Sequence, residues 1–475
     1  MLENQKNIEP EKIDLLFVIP SADYEKHQRE LRLRRIEDEV IVQNSPAPGI
    51  GYMLAVAKKN NIKAKCIDMI VECMTVEELL QYITKHKPKL IGFTAMTVQI
   101  NDAGFLASKI KKHFPDILIC VGGIHPTVLA KETLEEFDAF DFVVCGEGEH
   151  VIVKIFNYLK KGLSLSDIKG IATKEKTDSS FELIENLDAL PFPAWQEMNL
   201  QKYTGVFPHR TKLELPMCTS RGCPNSCVFC VQQYSRRRRQ RSVVSVISEI
   251  ERNIADFGCE SIAFIDDTFL IDLSWGDELF HTMIKKGINK KITWGCEFRV
   301  DSASPELLRL MKEAGCYYMF CGFESADETI LKTVRKNISI SQMKNAVKWA
   351  KEAGIVPTGS FIIGLPGETE KTVKKSITLA QELDLYSIVF PIAVPFPGTV
   401  LRKLALNHEY GLRILTNKWS DYGKQYPGVM DSEQLNIDRL RELQKLAYTL
   451  LPKKKINEYI ENLNKQINKR LSQNI

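Results

Sequence analysis

The sequence predicts an α/β protein: an N-terminal doubly wound parallel sheet, then a partial six-stranded parallel barrel, then a helical C-terminal region. Three observations carry this expectation. Short apolar runs alternate with helix-patterned stretches from residue 13 to residue 145. The same alternation returns from residue 213 to residue 392. Between them lies a proline-bearing stretch, Asn186 to Pro193, that suits neither pattern. Strands alternating with helices at this rhythm build parallel sheets.

Taken in order, residues 1–11 are polar and loose. Ile13 to Ile19 is a continuous apolar run ended by Pro20, as a strand buried on both faces requires. A charged loop, Ser21 to Val42, leads to a helix over Tyr52–Lys59. Strands follow at Lys63–Met69, Leu90–Thr94, Ile117–Val121 and Phe142–Cys145, with helices at Thr75–His86 and Asp102–His113. After a connector, strand-like runs recur at Leu213–Met217, Ser261–Ile265, Lys291–Phe298, Tyr317–Phe323, Pro357–Ile363 and Ser387–Ile392. The expected divisions are 12–160 for the sheet, 161–212 for the connector, 213–400 for the barrel and 401–475 for the helical region.

At 475 residues, 44% hydrophobic and 26% charged, the composition is that of a globular protein with ample core. A net charge of +4 is too weak to imply nucleic acid. The one dense basic run is Arg236 to Arg239 with Arg241. A solvated helix entry explains it as well as a site that faces carboxylates or phosphates. The N-terminus has no apolar signal region, and no stretch approaches the ~20 apolar residues of a membrane span. Twelve cysteines, scattered except in one loop, fit a reducing compartment. A cytoplasmic protein is expected.

That loop is Cys218-Thr-Ser-Arg-Gly-Cys223-Pro-Asn-Ser-Cys227-Val-Phe-Cys230, directly after the first barrel strand. Cys223, Cys227 and Cys230 stand at C-x3-C-x2-C spacing, so their thiolates can converge on one inorganic centre. Iron–sulfur clusters are held by such thiolates, usually four. Three close ligands without a fourth point to a [4Fe–4S] cluster with one iron open. Structural zinc would want four ligands, commonly in two pairs, and no second C-x2-C exists. A disulfide needs an oxidising compartment. Unreactive buried cysteines do not explain the triplet spacing.

Ligands of both sheet types sit at the carboxyl ends of strands. In the first sheet these ends are the Pro20 loop, Thr94-Ala95-Met96-Thr97, Gly122-Gly123 and Gly146-Glu147-Gly148; ordinary tight turns are the rival reading. No G-x-G-x-x-G precedes a helix, which disfavours a dinucleotide. In the barrel they are Asp266-Asp267-Thr268, Glu297 and Arg299, Glu324-Ser325, and Gly364-Leu-Pro-Gly367-Glu368-Thr369. Glu297 and Arg299 are two apart and share a face. Carboxylates there can accept from ribose hydroxyls or an ammonium, and an arginine can clasp a carboxylate. Tyr422 and Tyr426 are placed to cap the opening.

The string Thr219 to Cys230 resembles the radical SAM enzymes that carry an N-terminal cobalamin-binding domain, a group with the anaerobic magnesium-protoporphyrin IX monomethyl ester cyclases and cobalamin-dependent methylases. The likeness spans roughly residues 12–400. It implies that the open iron binds S-adenosylmethionine (SAM). It also implies SAM-binding roles for Phe229, Asp266, Asp267, Glu297, Arg299, Glu324, Ser325 and Gly364. Pro48-Gly49-Ile50-Gly51-Tyr52, Phe93-Thr94-Ala95-Met96, Val121-Gly122-Gly123-Ile124-His125-Pro126 and Gly146-Glu147-Gly148-Glu149 are similar to that group's cobalamin-binding domain. The implied cobalamin contacts are Pro20, Gly49, Gly51, Tyr52, Thr94, Ala95, Met96, Gly122, Gly123, His125, Gly146, Glu147 and Gly148. The Asp-x-His-x-x-Gly string whose histidine ligates cobalt elsewhere is absent; His125 is not at the equivalent place and suits a turn or packing role.

The resemblance implies a [4Fe–4S] enzyme that cleaves SAM to a 5′-deoxyadenosyl radical. Its expected reaction is cobalamin-dependent methyl transfer to an unactivated carbon of a small-molecule, lipid or tetrapyrrole substrate. Oxidative cyclisation or rearrangement is the rival within that class. An electron donor such as a flavodoxin or ferredoxin is the expected partner. A cobalamin or redox sensor without turnover, and an enzyme acting on tRNA, are rivals from other classes; no appended basic domain supports the last.

Overall fold

This computed structural model of the chain describes residues 11–21, 45–207, 211–231, 235–423 and 428–450. The expected loop over Ser21 to Val42 lies almost wholly outside them, as do residues 1–10 and Tyr426. The chain divides into two compact units. One comprises Gly49–Ile184 and Leu190–Lys202 with the N-terminal strand; the other comprises Glu185–Ala189 and the chain from Tyr203 onward.

In the first unit, β1 (Leu15–Ile19), β2 (Ala64–Asp68), β3 (Leu90–Thr94), β4 (Leu118–Gly122), β5 (Phe142–Val144) and β6 (Ile171–Ala172) form one sheet. Its order is β2-β1-β3-β4-β5-β6. All five residues of β1 are buried, as its unbroken apolar run requires. Each such side chain contributes about 1.5–3 kcal/mol of burial. Helices cross between the parallel strands. Val76–His86 opens with a reciprocal cap between Thr75 and Glu78, and Gly148–Lys161 stops at the left-handed Gly162. Within the stretch expected to connect the two parts, Ile171–Ala172 runs antiparallel to β5 and adds an edge strand to the sheet.

The second unit opens with β7 (Glu214–Met217). A two-stranded pair follows, β8 (Ser220–Arg221) with β9 (Arg239–Gln240). The remaining sheet strands are β10 (Ser261–Phe269), β11 (Thr293–Phe298), β12 (Cys316–Glu324), β13 (Val356–Phe361) and β14 (Ile388–Val389). With β7 they pair in parallel in the order β14-β13-β12-β11-β10-β7, an open six-stranded barrel. The helix Val243–Phe257 starts at the Ser242 cap and ends at Gly258, burying Val246, Ile247 and Ile250 on one face. Aromatic rings fill the layer between strands and helices. Phe280 stacks on Trp294 at 5.4 Å, and Trp294 Nε1 donates to Ala314 O at 2.9 Å.

The amino-terminal end of the barrel is closed from within. Phe207 lies against Gly295, where an added Cβ would come within 2.9 Å of its ring. Val206 N and Phe207 N both donate to the buried Glu214 carboxylate. Residues 401–450 are less helical than expected. After the helix Val400–Leu406, a hairpin of β15 (Leu412–Ile414) and β16 (Met430–Ser432) intervenes before the helix Ile437–Leu450. That last helix covers the open edge at β14: Gln444 Nε2 donates to Phe390 O at 2.6 Å, and Phe390 N donates to Tyr448 Oη at 3.0 Å. Tyr422, expected at the opening, is fully buried; it donates to Thr416 O and accepts from Arg402.

Candidate active site at the carboxyl ends of the strands

The cysteine loop leaves β7 and is pinned at both ends. At its start, Asp266 accepts from Thr219 N at 3.0 Å, Thr219 Oγ1 at 2.8 Å and Ser220 Oγ at 2.6 Å. Arg241, buried and ion-paired with Glu249, donates to Cys218 O at 3.1 Å. Gly222 turns the chain at φ +90°, and an added Cβ there would lie 2.5 Å from Arg237 O, so glycine is required. At its far end, Val228 is 2% exposed in a core cluster with Ile330, Val334 and Leu401. Val228 N donates to Val334 O at 3.0 Å, and Leu401 N donates to Val228 O at 2.9 Å.

Three thiols hang from this frame. Cys223 Sγ lies 3.1 Å from Thr268 Oγ1 and accepts from Asn225 Nδ2 at 3.3 Å. Cys227 Sγ lies 3.9 Å from Arg335 O. Cys230 is exposed, and among the described residues no cysteine is in a disulfide. Burial pushes the Cys227 thiol up, while the charges of Lys336 and Arg299 pull it down; Cys223 and Cys230 are near enough to be felt as well. Nearby cations favour the thiolate that binds metal. Among the described residues no three Cys, His, Asp or Glu side chains gather as they would around a single ion. A three-thiol donor set, with each sulfur serving a different iron, fits a cluster better than zinc.

The expected SAM residues divide into two groups. Asp266 and Asp267 do not end their strand; β10 runs on to Phe269. Asp266 is 2% exposed, and both its oxygens accept from the cysteine loop, so it anchors that loop instead of facing outward. Asp267 is exposed and accepts from Gly222 N at 3.1 Å. Glu297 is exposed on β11. Arg299 clasps Asp301 through Nε and Nη2, at 3.0 and 2.8 Å, and donates to Lys336 O. Glu324 adopts φ +66° and pairs with Lys336 Nζ at 2.8 Å. Ser325 is fully buried and accepts from Asp327 N, while Phe229 packs beside Val228. Gly364, at φ +88°, donates its N–H to Glu368 at 2.7 Å. Glu368 Oε1 is buried with no partner among the described residues, and burial pushes this carboxyl up to about 8.

Sequence reasoning missed Lys336. It lies between Arg335 and Asn337, two residues in left-handed backbone, and no motif distinguishes it from the surface lysines around it. Nor did it single out Asn225, whose amide reaches Cys223; of the basic run, Arg241 is buried and faces the carboxylate of Glu249.

In the first unit the strand order reverses between β1 and β3, and the expected cobalamin residues ring that edge. Several glycines there make room for the chain itself: an added Cβ would meet Pro193 and Trp195 at Gly51, Phe181 at Gly146 and Met53 at Gly148. Tyr52 and His125 are buried, 5% and 2% exposed, and Glu147 accepts from Ile184 N. His125 therefore packs inside its short helix rather than standing at the rim. Other positions remain open to a ligand. An added Cβ at Gly49 would meet nothing within 4 Å, whereas at Gly123 it would come 2.7 Å from Ala95 O and at Gly122 3.4 Å from Val144 O. Pro20 O accepts from Gln99 Nε2 at 2.9 Å, and Thr94 is half-buried next to the exposed Met96. Asn101 Oδ1 is buried without a partner among the described residues, an acceptor fitted to amide donors such as those rimming a corrin.

A parallel barrel with a thiol loop after its first strand, and a doubly wound sheet with a bare-backbone rim, define a two-unit α/β enzyme. Residues 217–380 match the family model of the radical SAM superfamily, and residues 39–156 match that of the B12-binding domain. An uncharacterized methyltransferase of Pyrococcus horikoshii is 32% identical over 433 residues, covering 89% of this chain and 92% of that one. The anaerobic magnesium-protoporphyrin IX monomethyl ester cyclase of Rubrivivax gelatinosus is 28% identical over 369 residues, 75% of this chain and 66% of the cyclase. The radical SAM methyltransferase TsrM of Kitasatospora setae, whose structure holds cobalamin and a [4Fe–4S] cluster, shares the fold. Its TM-score is 0.71 at 15% identity, covering 92% of this chain and 91% of TsrM. The chain belongs to the radical SAM superfamily, in the branch that carries a B12-binding domain and holds both methyltransferases and the ester cyclase.

Proposed function

We propose that this enzyme methylates an unactivated carbon of a small molecule, with Cys223, Cys227 and Cys230 holding three irons of a [4Fe–4S] cluster and SAM on the fourth. Cobalamin takes the rim of the first sheet. When bound, the cluster supplies an electron, SAM the radical and cobalamin the methyl group. The single observation that carries this reading is the thiol loop, fixed at both ends and flanked by the cations of Lys336 and Arg299.

Within the barrel, the chain's own groups bind and orient. Asp266 and Gly222 set the loop's path, so the three sulfurs keep one arrangement. The exposed carboxylates of Asp267 and Glu297 suit ribose hydroxyls or the methionyl ammonium. Phe229, Ser325, Glu324 and Arg299 shape the SAM pocket from the loop and from the ends of β11 and β12. At the Gly364 turn, Glu368 Oε1 suits a polar edge of the adenine. No described helix is long and apolar enough to cross a membrane. A flavodoxin or ferredoxin in the cytoplasm is the electron donor of this reading.

The ester cyclase among the relatives favours a second reading, oxidative cyclisation without methyl transfer. Anaerobically reconstituted enzyme, given SAM, reductant and methylcobalamin, separates the two. Methylation yields S-adenosylhomocysteine alongside 5′-deoxyadenosine, whereas 5′-deoxyadenosine alone supports cyclisation.

A further inference from the structure

We propose that Arg238 directs the Nε and Nη2 edge of its guanidinium at the Cys223 corner of the bound cluster, and that this cation raises the cluster's reduction potential. The proposal rests on the cluster reading of the cysteine loop and names the residue that sets how readily a cluster there accepts an electron.

The five arginines of the basic run separate in the fold. Arg236 and Arg237 are exposed, and Arg237 pairs with Glu185 at 2.7 Å on the surface. Arg239 is buried with its charge felt by Asp267, and Arg241 is ion-paired with Glu249. Arg238 is half-buried. Its Nε and Nη2 atoms are shut off from water and have no hydrogen-bond partner among the described residues. Buried donors left unmatched cost free energy, so such an edge implies an acceptor.

Its place follows from the β8–β9 ladder. Ser220 pairs with Gln240 and Arg221 with Arg239, antiparallel, so the register brings Arg238 level with Gly222, one residue before Cys223. The two segments touch there: an added Cβ at Gly222 would lie 2.5 Å from Arg237 O and 2.8 Å from Ser235 O. Burial pulls the guanidinium's pKa down, and the charges of Asp266, Asp272 and the Cys223 thiol act against it, so these are the groups it faces. The two carboxylates are engaged elsewhere. Asp266 accepts from Thr219 and Ser220, and Asp272 caps the helix Leu273–Lys285 through Ser274 N and Trp275 N. That leaves the Cys223 sulfur, which already accepts from Asn225 Nδ2 at 3.3 Å.

The chemistry gives the contact a consequence. A thiolate bound to iron keeps lone pairs for N–H donors, and hydrogen bonds and charge around the ligand sulfurs set a cluster's potential. Reduction adds one negative charge. A cation beside the cluster stabilises that state, and the exclusion of water from the guanidinium edge strengthens the effect.

The test uses full-length protein reconstituted anaerobically and titrated with dithionite in the presence of redox mediators, without SAM. The midpoint potential is read by electron paramagnetic resonance. Arg238→Gln should need a more negative potential, its equilibrium constant for reduction falling on the order of tenfold, ~59 mV for one electron. Arg238→Lys keeps the charge without the planar edge and should fall between the two. Arg237→Gln removes an equal charge from the exposed neighbour and should keep the wild-type potential. A wild-type potential in Arg238→Gln overturns the proposal, as does an equal shift in Arg237→Gln. If Arg238→Gln holds no cluster, Arg238→Lys decides, and a potential at or above that of wild type overturns the proposal. Weakened SAM binding by Arg238→Gln at a wild-type potential overturns it too, and gives the edge to the SAM carboxylate. Wild type that assembles no [4Fe–4S] cluster removes the cluster reading and this proposal with it.

Discussion

Glu324 and Lys336 form a buried ion pair, Oε1 to Nζ at 2.8 Å, with side chains only 6% and 11% exposed. Burial pulls the Lys336 ammonium down, but Glu324 and the Cys227 thiol outweigh it and hold the group above its ordinary value. The pair thus couples the end of β12 to the cysteine loop. Removing one partner of such a pair leaves a buried charge uncompensated, at a cost of about 3–5 kcal/mol. Lys336→Met should lose stability on that scale in anaerobic denaturant titration. Lys336→Met with Glu324→Gln should recover part of the loss. Equal stability of the single and double variants would show that the pair is not coupled.

Asp266 gathers backbone and side-chain donors from both Thr219 and Ser220, and Asp267 accepts from Gly222 N. Burial pushes the Asp266 carboxyl up, while the Ser220 and Thr219 donors act against it. Asp266→Ala strands buried donors at about 1–3 kcal/mol for each left unsatisfied. The variant should retain markedly less iron per chain after reconstitution, whereas Asp267→Ala should retain nearly the wild-type amount. Iron analysis with matched circular dichroism checks both. Full iron retention in Asp266→Ala would refute the anchoring role.

Glu214 gives the barrel floor a pH dependence. Burial pushes its carboxyl from 4.5 up to about 7, against the donors Val206 N and Phe207 N. The folded chain therefore keeps a proton that the unfolded chain releases between those values, so stability falls as pH rises through that window. The loss amounts to at most about 3 kcal/mol. Glu214→Gln keeps an acceptor for the two N–H groups and removes the titration. Its melting temperature should gain on wild type from pH 5 to about pH 7 and level off by pH 8. Glu368, raised in the same direction, is present in both proteins and cancels in the comparison. Parallel melting curves across that range would contradict the assignment.

Gly222→Ala tests the loop's path without touching a ligand. The φ of +90° and the approach of Arg237 O to 2.5 Å from an added Cβ leave no space for the methyl group. A forced left-handed residue costs on the order of 1–3 kcal/mol. The variant should fold yet hold its cluster loosely, with faster iron loss to a chelator than wild type. A wild-type rate of loss would show that the turn does not govern the loop.

Most of the architecture was legible because parallel strands buried on both faces announce themselves as unbroken apolar runs: Leu90–Thr94 forms at the bounds its composition predicts. What escaped was structure fixed by long-range contact. Ile171–Ala172 is too short for any periodicity, and only pairing with β5 makes it a strand. Asp266 and Asp267 read as a strand end because two adjacent carboxylates rarely sit inside a strand; donors from the cysteine loop override that local preference. The cysteine spacing carried the barrel site, since three cysteines within eight positions suffice for it. Lys336 stands twelve residues beyond its partner across the helix Glu328–Thr333, and only the fold brings them together. At the first sheet's rim, glycine marked open backbone at Gly49 and room for Phe181 at Gly146 equally well.

Electron paramagnetic resonance of the reduced cluster in anaerobically reconstituted protein, recorded with and without SAM, tests the central claim most directly. With the fourth iron open to SAM, the signal should shift when SAM is added and be lost when Cys223, Cys227 and Cys230 are replaced by alanine. A cluster signal that SAM leaves unchanged, or one that survives loss of all three cysteines, would contradict the account.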